Sequence, residues 1–416
     1  MADDGLASPD WPRPDLNIAC LELLIGLVFL ADPPRGAGDW RARRRPDPAR
    51  LRAALEPYAP AFELMGDGPR FMQDLEAFET GENGPNGPDM LFIDSAGGQT
   101  VKNNADLLVK RDRYPVLPPA LAAMALFALQ AHAPKGGAGN RTSMRRGGPM
   151  VTLVDPGEGL WSLVWANVPD GAPAGAEALA WMHPARVSDK GQQVFHDQVL
   201  AVQAFFGIPR RLRLVVGAGG ISGVVQRPWG ANYAGWVHPL TPYYRQKPGA
   251  ELLPRRPRAG AFGYSNWLGV GAARRSADGL AERAKVVDGW EARSPGRAYV
   301  IVAGWAMDNM KPRDFTFSCA PLLDLPDDQA DRLQGMIEAA EVLAVALRGA
   351  AAAGRCAGHA DGTRGAGAGA AAGDGRGGGR RSWCGWCRCW PICGRTTGTA
   401  WHGGWQACSR RCGFGA

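Results

Sequence analysis

Residues with chemistry to offer gather first between Gly139 and Val168, in the stretch GNRTSMRRGGPMVTLVDPGEGLWSLVWANV. Arg141, Arg145 and Arg146 set three guanidinium groups on one short loop, and Gly147 and Gly148 strip the side chains from the backbone beside them. Bare N–H groups next to arginines suit phosphate, because both can approach an anion closely. A tight turn carrying solvated arginines accounts for the same residues. Pro149 stiffens the exit into a strand, MVTLV, and a turn separates it from a second apolar run, LWSLVWANV.

Other groups are weaker. His238 lies between apolar residues and before a proline, which fits a structural histidine better than a catalytic one. Gly217-Ala218-Gly219 follows a strand-like RLRLVV, but Ser222 stands where a dinucleotide loop needs its third glycine, and Gly223 and Pro228 forbid the helix that must follow. No nicotinamide or flavin cofactor is implied. The chain has no HExxH, GxSxG or Walker loop, so nothing points to an enzyme.

The elements that must position these groups read as α+β. Asp15 is a plausible cap for an apolar helix that ends at Pro33 and Pro34; at this length, and with Glu22 inside it, it reads as a core helix and not a membrane span. A second helix starts at Asp47-Pro48, and a third, LAAMALFALQAHA, follows Pro118-Pro119. A helix over Val194–Phe206 and a strand over RLRLVV come next. Trp236 to Lys247 reads as a proline-limited edge segment ending in a basic hairpin, and Ala298–Ala303 as a strand. From Pro326 the apolar positions Leu333, Met336, Ile337, Ala340, Leu343 and Leu347 repeat as one face of a long helix.

The net charge of +7 is misleading as a nucleic-acid signal. From Gly349 onward there are nine arginines against two acids, Asp361 and Asp374, so residues 1–348 are balanced and any nucleic-acid contact must be local. Cys20 and Cys319 are the only cysteines before residue 350. Two isolated cysteines, and a first apolar run that follows Asp3, Asp4 and Asp10 instead of a basic leader, suggest a reducing, cytoplasmic setting.

Several blocks together resemble one family, the large subunit (CasA type) of the type I-E CRISPR surveillance complex, Cascade. They are Arg13–Asn17 (RPDLN), Phe71-Met72-Gln73, the loop Arg145–Val154, the block FFGIPRRLRL from Phe205, the WVHPLTP block from Trp236, and the octet Gly304–Lys311, GWAMDNMK. The resemblance implies a non-catalytic DNA-recognition subunit that senses the protospacer-adjacent motif (PAM) of foreign duplex DNA through the minor groove. It implies DNA contacts by Lys247, Arg146, Gly147, Gly148, Asp308, Asn309, Met310 and Lys311, with Gln246 or Arg245 replacing Lys247 if the hairpin slips by one. The residue types suit minor-groove recognition. The amide of Asn309 reads minor-groove edges, unbranched Met310 presses on a base step, and Lys311 holds a phosphate. Arg146 stands where the family pattern has a further glycine.

The same resemblance assigns Lys102, Lys110, Arg111 and Arg113 to a loop that docks on the guide-RNA end of the complex. Its implied partners are the other Cascade subunits and guide RNA, target double-stranded DNA, and an effector helicase–nuclease, with no cofactor and no membrane. Family members often carry a CxxC zinc pair after the RLRLVV strand, and this chain has none there, so no metal is expected in the body. The resemblance implies a body over residues 1–320 lacking the family's N-terminal hairpin, the first helix of a C-terminal bundle over 321–348, and an aberrant tail over 349–416. That tail reads as a reading-frame shift and as disordered, which leaves as an alternative a defective product that folds in part but does not assemble. Its Cys384 and Cys387, at CxxC spacing without a matched second pair, leave a zinc cluster open, and its Gly/Arg content leaves RNA binding open.

Overall fold

The computed structural model describes residues 6–76, 84–104, 106, 110–137, 139–260, 262–272, 280–293, 296–323 and 325–362. The chain divides into two compact units, Met1–Asp331 and Arg332–Ala416. The first is α+β, with short helices around three small antiparallel sheets.

Helix α1 (Pro14–Ala31) is apolar on nearly every side and forms the centre of the core, with Leu16, Leu21, Ile25, Val28 and Leu30 buried. Among the described residues it alone has the length and hydropathy to cross a membrane, but it is packed inside the body. It begins at Pro14, and Asp15 sits inside the first turn, paired with Arg13 at 2.9 Å, and does not act as the cap. Gly26 admits the aromatic packing beside it, since a Cβ there would lie 2.8 Å from Phe205 Cβ. Helices α2 (Ala37–Ala42), α3 (Pro48–Leu55) and α4 (Gly98–Lys102) follow, then α5 (Pro119–His132), which packs along α1.

Strand β1 (Val151–Asp155) follows the glycine loop, and the second apolar run folds as helix α6 (Leu160–Ala166). The helix expected over Val194–Phe206 survives only as α7 (Gln203–Phe206). Upstream, the Val194 backbone is committed to a bridge with Tyr233, and its carbonyl accepts from Trp236 Nε1 at 3.0 Å, so tertiary pairing displaces the helix. Strands β2 (Arg211–Gly217) and β3 (Gly220–Arg227) make a hairpin through Ala218-Gly219, at the Gly217-Ala218-Gly219 segment that fails as a dinucleotide loop.

Strand β4 (Tyr243–Tyr244) lies between β5 (Leu253–Pro254) and β6 (Ala281–Glu282), so the segment after Trp236 is the centre of a sheet and not an edge. Helix α8 (Lys285–Arg293) leads to β7 (Tyr299–Asp308) and β8 (Lys311–Pro321), and β7 pairs with both β1 and β8.

A buried polar cluster ties the glycine loop to this core. Glu22 of α1 accepts from Arg145 at 2.6 Å and meets His132 of α5 at 2.8 Å, with every member almost fully buried. Arg145 also reaches Thr241 and the Ala131 carbonyl. Burial alone would raise the Glu22 carboxyl, but Arg145 and His132 hold it well below the usual range. His238 lies against Phe205 with ring centroids 5.0 Å apart, and its Nδ1 accepts from the Leu240 N–H. Burial, reinforced by Arg145, drives its pKa well below the ordinary value, so His238 is neutral.

The sign of the His238 contribution follows. Below pH about 6.5 the unfolded chain takes up a proton that folded His238 refuses, so stability falls as pH drops, by at most about 1.4 kcal/mol per unit. Asparagine at this position keeps an acceptor for Leu240 and cannot titrate. Urea unfolding of wild type and His238→Asn between pH 8 and 4.5 is expected to give curves whose difference changes only below pH about 6.5, with the wild type losing more.

The second unit holds most of α9 (Asp327–Gly362). The helix runs through Gly349, where the change in composition predicts a break, because alanine-rich residues 349–362 favour helix. Met336, Leu343 and Leu347 of the apolar stripe are exposed. The cysteines from Cys384 onward lie outside the described residues.

Candidate nucleic-acid interface

The described residues of the loop from Ala133 to Pro149 are tied to the core by backbone hydrogen bonds. Ser143 N–H donates to the Ala133 carbonyl, Arg146 N–H to Ser143, and Gly148 N–H to His132. Arg141 donates twice to Ser188 and stacks on Trp229, and Arg145 is buried against Glu22, so two of the three arginines hold the fold. Arg146, Gly147 and Gly148 have φ values of 60°, 72° and 58°, three left-handed residues in a row. That conformation explains a glycine pattern, and an arginine at its first position carries a strain of about 1–2 kcal/mol.

The glycines do not present bare N–H groups here. Gly147 N–H is taken by Ser143 Oγ at 3.2 Å and Gly148 N–H by the His132 carbonyl at 3.1 Å, and both residues are buried. Their role is close packing: a Cβ on Gly147 would lie 2.7 Å from the Ala133 carbonyl oxygen, and one on Gly148 2.6 Å from Met307 Cγ. Among its described residues this loop exposes two cationic side chains, Lys135 and Arg146, the latter ion-paired with Glu251.

Met307 belongs to the β7–β8 hairpin, whose tip is the octet. Its two-residue turn is Asn309-Met310, with φ of 48° and 64°. Two left-handed residues are what a tight hairpin of right-twisting strands requires. Asparagine tolerates this, but methionine is forced into it. Gly304 fixes the base of the hairpin, since a Cβ there would fall 2.4 Å from the Pro149 carbonyl oxygen. The register shifts beside Ala306 and Met307, leaving Arg313 as an extra residue on β8. Arg313 pairs with Asp308 at 2.9 Å, so the Asp308 carboxylate braces the tip and would repel phosphate. Asn309 and Lys311 are exposed.

Lys247 lies on the connection between β4 and β5, exposed and, among the described residues, without an ion pair. Arg245 is committed to Glu282 at 3.0 Å and the Ala250 carbonyl at 2.7 Å, so Lys247 is the available cation of this hairpin. Gln246 is also exposed. The same connection supplies Glu251 to Arg146, and Arg256 donates to the Arg146 carbonyl at 3.1 Å. The structure therefore joins the Arg146 loop, the Lys247 hairpin and the base of the Asn309-Met310 hairpin through direct contacts.

The remaining basic candidates stand apart from this group. Arg113 grips Asp94 with both nitrogens at 2.9 Å, and Arg13 shares the same carboxylate, so Arg113 serves the fold and is not a free docking group. Arg111 is held by Asp106 at 2.6 Å, while Lys102 and Lys110 are exposed. Arg211, at the start of β2, pairs with Asp74 and Glu76. Arg210 is buried, donates to the Pro134 carbonyl, and is pulled down to about 10 by burial. Among the described residues, no three His, Cys, Asp or Glu side chains gather as a metal site.

The profile of the CRISPR-associated protein Cse1 family matches residues 2–375. The chain belongs to the Cse1 family. The Cse1 match is wider than the span of the individual motifs, Arg13 to Lys311, and it crosses Gly349. The fold agrees. CasA (Cse1) of Thermus thermophilus superposes with a TM-score of 0.62 at 21% identity, over 83% of this chain and 75% of that one. Cse1 of Thermobifida fusca gives 0.58 at 18%, over 74% and 66%. A chain of a CRISPR RNA-guided surveillance complex gives 0.61 at 18%, over 82% and 74%. No curated protein matches the chain.

Proposed function

We propose that this Cse1-family chain is the non-catalytic DNA-recognition subunit of an RNA-guided surveillance complex. In this reading it senses the PAM of foreign duplex DNA from the minor groove, starts strand opening, and offers a docking surface for an effector helicase–nuclease. The observation that carries it is the joining of three segments distant in sequence, the Arg146 loop, the Lys247 hairpin and the base of the hairpin that bears Asn309 and Met310. Lys247 and Lys311 supply cations for phosphate or groove edges, Asn309 an amide donor and acceptor, and Met310 an apolar wedge. The protein then reads a short motif, and guide pairing reads the remainder.

The elements suit that division. The tip is a rigid two-stranded ribbon braced by Trp305 on Phe315, with ring centroids 5.3 Å apart, so a wedging force on a base step is not absorbed by a floppy loop. Gly147, Gly148 and Gly304 make the neighbours fit, and they act through Arg146 and the tip, not by direct contact. The test is target-duplex binding by the reconstituted guide-RNA complex with and without this chain, at fixed salt. Adding the chain is expected to produce binding to intact PAM at least about tenfold tighter than to scrambled PAM. Equal binding to both duplexes by a complex that contains the chain refutes the reading.

A further inference from the structure

Beside Arg146 lies an open cleft of about 970 Å³. Its rim carries Arg146, Arg245, Arg255, Arg256 and Arg258, and among the described residues no acidic side chain lines it. A cleft with one sign of charge concentrates the opposite sign. Most of these arginines are engaged: Arg245 with Glu282, Arg255 with the Leu268 carbonyl, and Arg146 with Glu251. Arg256 and Arg258 are exposed; Arg256 spends one N–H on the Arg146 carbonyl, and the Arg258 side chain has no ion pair among the described residues.

The backbone that bears this pair is fixed. Arg255 N–H donates to the Pro242 carbonyl at 2.9 Å, its carbonyl accepts from Met150 N–H at 3.0 Å, and the Arg258 carbonyl accepts from Thr316 Oγ1 at 3.1 Å. Pro257 is buried, with its ring 2.8 Å from where a Cβ of Gly304 would sit. Arg256 and Arg258 are exposed on either side of this buried proline, two residues apart. Two guanidinium groups carried on this fixed backbone suit the oxygens of a phosphodiester chain.

Resting on the duplex-recognition reading above, we infer that this cleft seats a stretch of the target duplex's phosphate backbone, with Arg256 and Arg258 as its contacts. The duplex is favoured over guide RNA because Arg256 holds the Arg146 carbonyl and Pro257 packs on Gly304, so the cleft is continuous with the segments assigned to the PAM. Contacts to phosphate position without reading sequence, so they add affinity and salt dependence but no PAM discrimination.

The experiment compares the full chain, its Arg256→Gln/Arg258→Gln variant and the charge-keeping Arg256→Lys/Arg258→Lys variant, each assembled into the guide-RNA complex. Duplex affinity is measured across a salt series with intact and scrambled PAM, and assembly on guide RNA is measured without duplex. The Gln pair is expected to weaken both duplexes equally, by roughly tenfold near physiological salt. The slope of log affinity against log salt should shrink by nearly two, and the Lys pair should restore it. An unchanged slope overturns the inference, and so does a defect confined to assembly on guide RNA, which would assign the phosphates to the guide. If the double variant does not assemble, Arg258→Gln alone is read the same way, with a slope change of about one. Loss of PAM discrimination by the wild type would sink the recognition reading while a slope change still supported the cleft; intact discrimination with an unchanged slope would sink the cleft alone.

Discussion

Replacing Arg145 by methionine is expected to cost the folded body about 3–5 kcal/mol, because it leaves the Glu22 carboxylate buried without its principal counter-charge. Both side chains are almost wholly shielded, at 3% and 2% exposure, so water cannot take over from the lost partner. His132 remains against the other carboxylate oxygen at 2.8 Å. It offers one contact where Arg145 gave a permanent charge and further bonds to Thr241 and Ala131. Chemical unfolding measures the effect as a fall in midpoint at constant slope. Adding Glu22→Gln to Arg145→Met removes the stranded charge and should recover part of the loss, so the two changes will be far from additive.

The pH dependence has the matching sign. Glu22 is held below its ordinary value, so its contribution is complete above pH about 4.5 and is lost progressively as pH falls toward its folded pKa. A change of less than about 1 kcal/mol in Arg145→Met would mean that the pair does not anchor the loop.

Met310→Gly is expected to separate stability from function in opposite directions. Methionine at φ 64° sits in a backbone region that L side chains resist, and glycine removes the resistance. The hairpin should gain stability on the order of 0.5–1 kcal/mol. The same change deletes the wedge, and parting a base step needs a few kcal/mol, so PAM-adjacent opening should fall by about tenfold or more. A fluorescent base analogue at the first target pair reports opening, and thermal unfolding reports stability. Met310→Ala is the control, since it deletes the wedge without relaxing the turn, so opening should fall with no gain in stability. Undiminished opening in Met310→Gly would show that the tip does not act as a wedge.

Much of the fold was legible in local pattern. The apolar helix α1, the long stripe of α9 and the strand AYVIVA follow from periodicity that no distant contact needs to confirm. The lone Glu22 inside an apolar run argued only against a membrane span, although a carboxylate buried there needs a partner. Sequence could not say which cation would meet it, since Arg145 lies 123 residues away. The same blindness made Arg145 look solvated and Arg113 look free, when Asp94 holds the latter.

At the candidate interface, the glycine signal was visible but its use was not. Glycine marks a close approach or a left-handed backbone, and the structure shows Gly148 approaching Met307, with its N–H already spent within the chain. Arg313 escaped notice because its position depends on a bulge in the β7–β8 register. Arg256 and Arg258 carried a readable sign, two arginines flanking a proline, but only the structure shows Pro257 buried against Gly304 with both arginines exposed.

The central claim is that the exposed groups at these joined segments discriminate the PAM, and the ratio of affinities for intact and scrambled PAM measures it most directly. That ratio is to be taken for the assembled complex carrying wild type, Lys247→Ala or Asn309→Ala, at one salt concentration. Both side chains are exposed, so the variants should fold and assemble, with Asn309→Ala adding about 1 kcal/mol of local strain at φ 48°. Each substitution is predicted to lower affinity for intact PAM by about 1–3 kcal/mol while leaving scrambled PAM nearly unchanged, bringing the ratio toward one. Wild-type ratios in both variants would contradict the claim.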